Sequence, residues 1–281
     1  RMADTLVSLR PAAPVGDEAA LLDLLAARVD RVIHRAPPGD DPRRWHPLQL
    51  GGRALRLALP ITFTPYASAR PCSARCTFCS ENLRPLRTVA PAALLRPAPD
   101  YVDGLQRALA ALRGVPLSWS LSGLENSDDA GWLLRLLATL QAAEQDGIPV
   151  QDRVLYTNGA GFAQPRGNDV LDALERFGLD WIELSRHHHD GASNQAIMRF
   201  RADQPIATQP VFDSVVRALA QRFALRLVCL VQRGGVASAD DVSAYLRWAA
   251  GCGAGTVVFR EFSRLNAGYR GSLTLGDLVA V

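Results

Sequence analysis

Residues 116–157 read PLSWSLSGLENSDDAGWLLRLLATLQAAEQDGIPVQDRVLYT. A short apolar run, Pro116–Leu121, is followed by a polar loop. Apolar residues at helical spacing then extend over 131–146, and after a glycine a second short run, Arg153–Thr157, completes a strand–helix–strand unit. Both runs are apolar with little alternation, as strands covered on two faces are. The unit recurs along the chain. Further strands are expected at Ala54–Phe63, Trp181–Ser185, Arg226–Val231 and Thr256–Glu261, with helices near 100–113, 168–177, 211–222 and 239–251 and a shorter one over 190–200. Such repetition predicts a parallel sheet with right-handed crossovers. Six units suit an α/β fold of the partial (β/α)6 TIM-like barrel type better than a closed eightfold barrel; a flat doubly wound sheet shares the same pattern.

Ahead of the barrel, DEAALLDLLAARVDRVIHR (17–35) has helical spacing behind an acidic start. Residues 36–49, with Pro37, Pro38, Gly39, Asp40, Asp41 and Pro42, read as a loop. The expected organisation is an N-terminal helix and loop extension (1–50), the barrel (51–265), and the start of a C-terminal segment (266–281), whose apolar LTLGDLVAV looks unfinished.

The 31 basic and 28 acidic residues leave a net charge of +3. This is too small and too scattered for the clustered basic footprint of a nucleic-acid partner. No run of 18 apolar residues exists, so no membrane span is expected, and the mixed polar stretch after Arg1-Met2 does not read as a signal peptide. Three of the five cysteines fall within eight residues. That odd, clustered set is a poor disulfide framework and points to a metal site in a reducing compartment, here the cytoplasm.

The cluster is RPCSARCTFCSEN (70–82), with Cys72, Cys76 and Cys79 in C-x3-C-x2-C spacing after the first expected strand, where a loop at the C-terminal mouth of a barrel lies. A cubane iron–sulfur cluster has four irons, normally held by four thiolates. Three thiolates on one tight loop leave one iron open to chelate a small molecule. Phe78 is placed to shield one face. Structural zinc takes four ligands, commonly in C-x2-C pairs, and a fourth would come from Cys229, Cys252 or a distant histidine.

This motif resembles that of the radical S-adenosylmethionine (radical SAM) superfamily, and the resemblance extends over about residues 51–265. It implies a [4Fe–4S] cluster on Cys72, Cys76 and Cys79, with S-adenosyl-L-methionine as cosubstrate. Ser122-Gly123-Leu124-Glu125-Asn126 resembles the family's GGEP segment, with Leu124 and Asn126 as departures; that segment binds the amino group of the methionine moiety. Tyr156-Thr157-Asn158-Gly159 is similar to a strand ending common in these enzymes. Ser185 and Arg186 stand where polar side chains reach the ribose and carboxylate of the cosubstrate. From Leu227 the chain resembles the subgroup of the molybdenum-cofactor enzyme that rearranges GTP. Arg233-Gly234-Gly235 and Phe259-Arg260-Glu261 occupy its turn and last-strand positions, and adenine is expected against backbone near Phe259. Many members of that subgroup carry a second cluster. Only Cys229 and Cys252 remain here, which read as buried thiols, so one cluster per chain is expected.

His187, His188 and His189 follow the fourth strand, and consecutive strand residues point to opposite faces, so three cannot face one ion together. One of them is a candidate to bind substrate or shuttle a proton. Tyr66 is a candidate pocket wall by position. Arg43, Arg44, Trp45 and His46, with Arg84 and Arg87, form either a solvated loop or an anionic pocket. The resemblance implies an electron from a donor such as flavodoxin or ferredoxin, cleavage of the cosubstrate, and a 5′-deoxyadenosyl radical that takes hydrogen from substrate. The expected substrate is a small molecule: a nucleoside, sugar or amino-acid-derived metabolite, as in antibiotic biosynthesis. A peptide-modifying enzyme is the alternative within the class, and a non-catalytic iron–sulfur or zinc scaffold or sensor the alternative outside it.

Overall fold

The computed structural model describes residues 42–65, 68–79, 96–232 and 234–261, and every structural statement below concerns these. The helix expected over 17–35, Tyr66, Arg84, Arg87, Arg233 and the segment 266–281 lie outside them.

Six strands form one parallel sheet: β3 (Ile61–Phe63), β4 (Leu117–Leu121), β5 (Val150–Thr157), β6 (Trp181–Ser185), β7 (Leu225–Val231) and β8 (Thr256–Glu261). Their spatial order is their sequence order, and every neighbouring pair is parallel. This decides between the two architectures left open. A doubly wound sheet reverses its strand order partway and so puts helices on both faces. An unbroken order with right-handed crossovers sends every helix to the same face, and the sheet curls into a partial barrel. Among the described residues β3 and β8 do not pair, so the barrel is open.

The helices are α1 (Tyr101–Ala111), α2 (Ala130–Gln145), α3 (Gly167–Phe177), α4 (Gly191–Met198), α5 (Gln209–Arg222) and α6 (Ala239–Gly251). Local chemistry sets their ends. Asp129 caps α2 by accepting from the Trp132 N–H. Ser238 and Asp241 form a capping box at the start of α6. Gly178, with φ +75°, ends α3 in the left-handed conformation that a glycine adopts without steric cost.

Between sheet and helices lies the core, with Leu117, Trp119, Leu155, Ile182, Leu184 and Leu227 fully buried. Trp119 brings a polar group into it that is satisfied: the indole N–H donates to Glu144 at 2.6 Å, and Glu144 also accepts from Arg153. Odd positions of β4 and even positions of β6 therefore face the helices. The alternate positions line the concave face.

The sequence reading differs from the structure at the N-terminal edge. Ala54–Phe63 is not one strand. β1 (Trp45–Leu50) and β2 (Arg53–Ala58) form an antiparallel hairpin in full register. Gly51 and Gly52, at φ +56° and +74°, make its turn, the pair of left-handed residues a two-residue hairpin needs. Pro60, which has no N–H to give a ladder, separates β2 from the three-residue β3. Trp45 and His46 are thus strand residues rather than loop, and the boundary expected after residue 50 falls at the hairpin's turn.

Candidate metal centre and active site

The cysteine loop follows β3 and is held against the C-terminal end of α4. Helix ends leave carbonyls without partners; here the loop supplies them, as Arg75 N–H donates to Met198 O (3.0 Å) and Thr77 N–H to Ile197 O (2.9 Å). Arg201 N–H donates back to Ser73 O at 3.0 Å. On the other side, Ser73 N–H donates to the Asp128 carboxylate at 2.6 Å. Ser73 and Ala74 are buried, whereas Cys72, Cys76 and Cys79 are partly exposed and in no disulfide. A loop fixed at both flanks with its cysteines left accessible is suited to hold a metal group.

The electrostatics agree with this. Burial, and then the Glu125 carboxylate, push the Cys72 thiol well above its ordinary value. Burial and the neighbouring Cys79 push Cys76 up to about 12. Adjacent thiolates repel one another, so the thiolate form of this set needs a cationic centre among them, and metal binding would displace the protons. The loop offers three thiols, one short of the four ligands of a structural zinc site, whereas a cubane gives each thiolate its own iron. Cys229 and Cys252 are buried away from the loop, and burial raises both thiols, Cys229 to about 12.

Ser122-Gly123-Leu124-Glu125-Asn126 leaves β4 at the same mouth. Gly123 has φ +135°, open only to glycine, and Ser122 Oγ lies 3.2 Å from Ser120 Oγ. Glu125 does not project outward. It is buried and accepts from Ser127 N–H (3.1 Å), Ser127 Oγ (2.6 Å), Thr157 Oγ1 (2.7 Å) and the Asn158 N–H. Burial raises its pKa while those donors oppose the shift. Its carboxylate ties the end of β4 to the end of β5. In contrast, the Asn126 side-chain nitrogen is buried and unpartnered. A buried donor without an acceptor is costly, and the carboxylate of an amino-acid ligand is the kind of group that would satisfy it.

The end of β5 packs tightly. A Cβ on Gly161 would lie 1.9 Å from Ser127 O, so only glycine fits there. Asn158 directs its amide into the cysteine loop, 3.0 Å from Ser73 Oγ.

Arg186 corrects the reading of the β6 end. It shares the parity of Ile182 and Leu184, so it points into the helix layer rather than toward the barrel mouth. It is fully buried. Its Nε donates to His188 O (2.7 Å), its Nη2 to His189 O (3.3 Å) and to Gln209 Oε1 (2.6 Å). The guanidinium lies over Phe212 at 4.1 Å and Trp248 at 5.4 Å. Its three hydrogen bonds all run to the turn after β6 and to α5. Ser185 does lie on that face, in register with Val228.

The three histidines diverge. His187 is buried, accepts from Leu230 N–H at Nδ1 (3.0 Å), and meets the Phe78 ring edge-on at 4.5 Å. Phe78 therefore packs between the cysteine loop and β6. Burial, and then Arg186, lower the His187 pKa to about 3, so the ring is neutral. With Nδ1 accepting, the proton sits on Nε2. His188 and His189 stack on each other at 4.4 Å, and His188 Nδ1 accepts from Asp190 N–H. The Phe259 ring packs on Tyr245 at 5.5 Å, on the helix side, so at this position of β8 only backbone is left for the mouth.

The concave face carries residues the sequence reading did not single out. Arg260 Nη2 lies 2.6 Å from the nearly buried Glu183 carboxylate. Tyr156 stands beside them, its phenol raised by burial and by Glu183. Arg226 stacks over Trp181 at 4.1 Å, and Ser118 Oγ donates to Asp152. The available signal was polar residues at alternate positions within otherwise apolar strands.

No protein-family model matches the chain, and no curated protein does either. Solved structures do. Native anSMEcpe with bound S-adenosylmethionine superposes with a TM-score of 0.54 at 13% identity, covering 73% of this chain and 52% of that one. The same protein with bound S-adenosylmethionine and Kp18Cys peptide gives 0.50 at 14%, covering 72% and 51%. The Escherichia coli coproporphyrinogen III oxidase HemN, a radical SAM enzyme, gives 0.48 at 12%, covering 78% and 48%. The chain spans about half the length of these structures. It has the partial-barrel fold found in radical SAM enzymes.

Proposed function

We propose that this chain is a radical SAM enzyme. It would hold one [4Fe–4S] cluster through Cys72, Cys76 and Cys79, and its substrate would be a small molecule bearing charged groups, such as a nucleoside, sugar or amino-acid-derived metabolite. The observation that carries the reading is the cysteine loop itself: three accessible thiols at the C-terminal mouth of a parallel partial barrel, fixed by Asp128 on one side and α4 on the other. When bound, the cluster supplies the electron that cleaves S-adenosylmethionine reductively. The protein's part is to orient and to exclude. The bend at Gly123 and the unpartnered Asn126 amide suit the amino-acid end of the cosubstrate. Ser185 would be placed toward its ribose, and the β8 backbone would offer an edge to adenine. Phe78, seated on His187, keeps water from the metal side.

The small-molecule reading draws on the concave face. Glu183, Arg260, Tyr156 and Arg226 present opposite charges at close range inside a barrel, an arrangement suited to a compact polar substrate. A flavodoxin- or ferredoxin-like donor and a cytoplasmic setting go with this reading, because the cluster needs a reductant. The second reading, a peptide substrate, is favoured by the match to anSMEcpe with a bound peptide.

The test is anaerobic reconstitution with iron and sulfide, reduction, and addition of S-adenosylmethionine. About four irons per chain and 5′-deoxyadenosine are expected from the wild type, and neither from the Cys72→Ala, Cys76→Ala, Cys79→Ala variant. Iron binding that survives the triple substitution would overturn the ligand assignment. Transfer of deuterium from a labelled peptide into 5′-deoxyadenosine, and from no small molecule, would favour the second reading.

A further inference from the structure

Asn158 ends the strand whose Tyr156-Thr157-Asn158-Gly159 sequence resembles that of radical SAM enzymes, and its amide faces the metal side. Nδ2 lies 3.6 Å from Cys72 Sγ, within hydrogen-bonding reach of sulfur, and 3.0 Å from Ser73 Oγ. Its orientation is fixed. Oδ1 accepts from Ala160 N–H at 2.9 Å, so a flipped amide would set two donors against each other. The backbone beneath is equally constrained. Asn158 N–H donates to the buried Glu125, and Gly159, at φ +86°, leaves no room to shift, since even a Cβ there would sit 3.0 Å from Leu184. The side chain is buried, so water does not compete for the donor. Ala74 N–H, 3.5 Å from the same sulfur, is a second donor.

We propose that Asn158 is a positioning residue of the metal centre: its amide donates a hydrogen bond to the Cys72 thiolate and so raises the reduction potential of the cluster. This rests on the cluster reading above. A donor on a ligand sulfur draws electron density from it and stabilises the reduced state, which carries one more negative charge. Glu125 holds the backbone of that donor in place through the Asn158 N–H, and Ala160 N–H holds its amide. The end of β5 is thereby an electronic support for the cluster rather than a wall of the cosubstrate pocket.

The experiment uses the full chain, reconstituted anaerobically, without S-adenosylmethionine. Iron is counted first, and the midpoint potential is then read by titration followed with electron paramagnetic resonance. Asn158→Ala removes the donor. Asn158→Asp keeps an oxygen for Ala160 N–H and puts a carboxylate oxygen where the donor was. Both are expected to shift the potential to more negative values, Asn158→Asp further. Ser127→Ala removes a neighbouring hydroxyl that bonds Glu125 but touches neither sulfur nor the Asn158 side chain, and is expected to leave the potential near that of the wild type. An unchanged potential in Asn158→Ala at equal iron content would overturn the proposal, as would an equal shift in Ser127→Ala. Should the Asn158 variants hold no cluster, wild-type protein with 15N-labelled asparagine decides: a 15N coupling and one exchangeable proton coupling at the reduced cluster support the bond, and their absence refutes it. A wild type that takes up no four-iron cluster would sink the functional reading itself, and the iron count separates that failure from this one.

Discussion

Replacing Arg186 by methionine or lysine separates two roles for one residue. A cosubstrate ligand would be lost with little effect on stability, whereas a strut inside the helix layer would be lost with a large one. The structure gives the second role. Three hydrogen bonds run from the guanidinium to His188 O, His189 O and Gln209 Oε1, each worth about 1.5–3 kcal/mol for a charged donor. Stacking on Phe212 and Trp248 adds about 2 kcal/mol where water is excluded. Against this stands the desolvation of a buried cation, several kcal/mol, which also lowers the Arg186 pKa to about 10. Truncation removes the attraction and leaves three acceptors unmet, so the net cost is about 3–5 kcal/mol. For a chain of this size that lowers the melting temperature by roughly 6–20 °C. Arg186→Lys should recover little of it, because one ammonium cannot reach the three acceptors as the planar fork does. The assay is thermal melting of the metal-free protein, beside the Kd for S-adenosylmethionine of the reconstituted form at low temperature. A variant that melts with the wild type but binds the cosubstrate tenfold more weakly would refute the structural assignment.

Two further outcomes are expected. Glu125→Ala leaves Ser127 N–H, Ser127 Oγ, Thr157 Oγ1 and Asn158 N–H without their acceptor; at about 1–3 kcal/mol for each buried unmet donor, urea unfolding should show a loss of about 3 kcal/mol or more, and a loss under about 1 kcal/mol would contradict the buried network. His187, held to about 3 when folded, has a depressed folded pKa, so the unfolded chain takes up its proton first as pH falls. Stability is therefore full above about pH 6.5 and declines toward pH 3, by up to about 1.4 kcal/mol per pH unit. Between pH 7 and pH 5 the metal-free wild type should lose about 2 kcal/mol more than His187→Gln; parallel pH profiles would mean that the ring is not buried neutral.

The elements were legible because their signals are local. Trp181–Ser185 and Thr256–Glu261 fall where the apolar runs place them, and α6 spans the residues read as helical. The cysteine spacing is likewise a property of eight contiguous residues. The hairpin of β1 and β2 was missed because its sign, two glycines at a turn, sat beside a proline-rich stretch that reads as loop, and its pairing is between strands rather than within one. The side-chain directions at the site were not legible either. Which way Arg186 points depends on its parity in a strand whose last residue is known only once β6 is in register with β7. Whether Glu125 faces ligand or core depends on Thr157 and Asn158 arriving from the next strand. The sequence alone determined the alternation of strand and helix and the three thiols on one loop, because both follow from neighbours along the chain. Only the tertiary structure decided the uniform strand order, the inward carboxylate of Glu125, the strut of Arg186 and the amide of Asn158 on Cys72, because each is a contact between residues that only the packed barrel brings together.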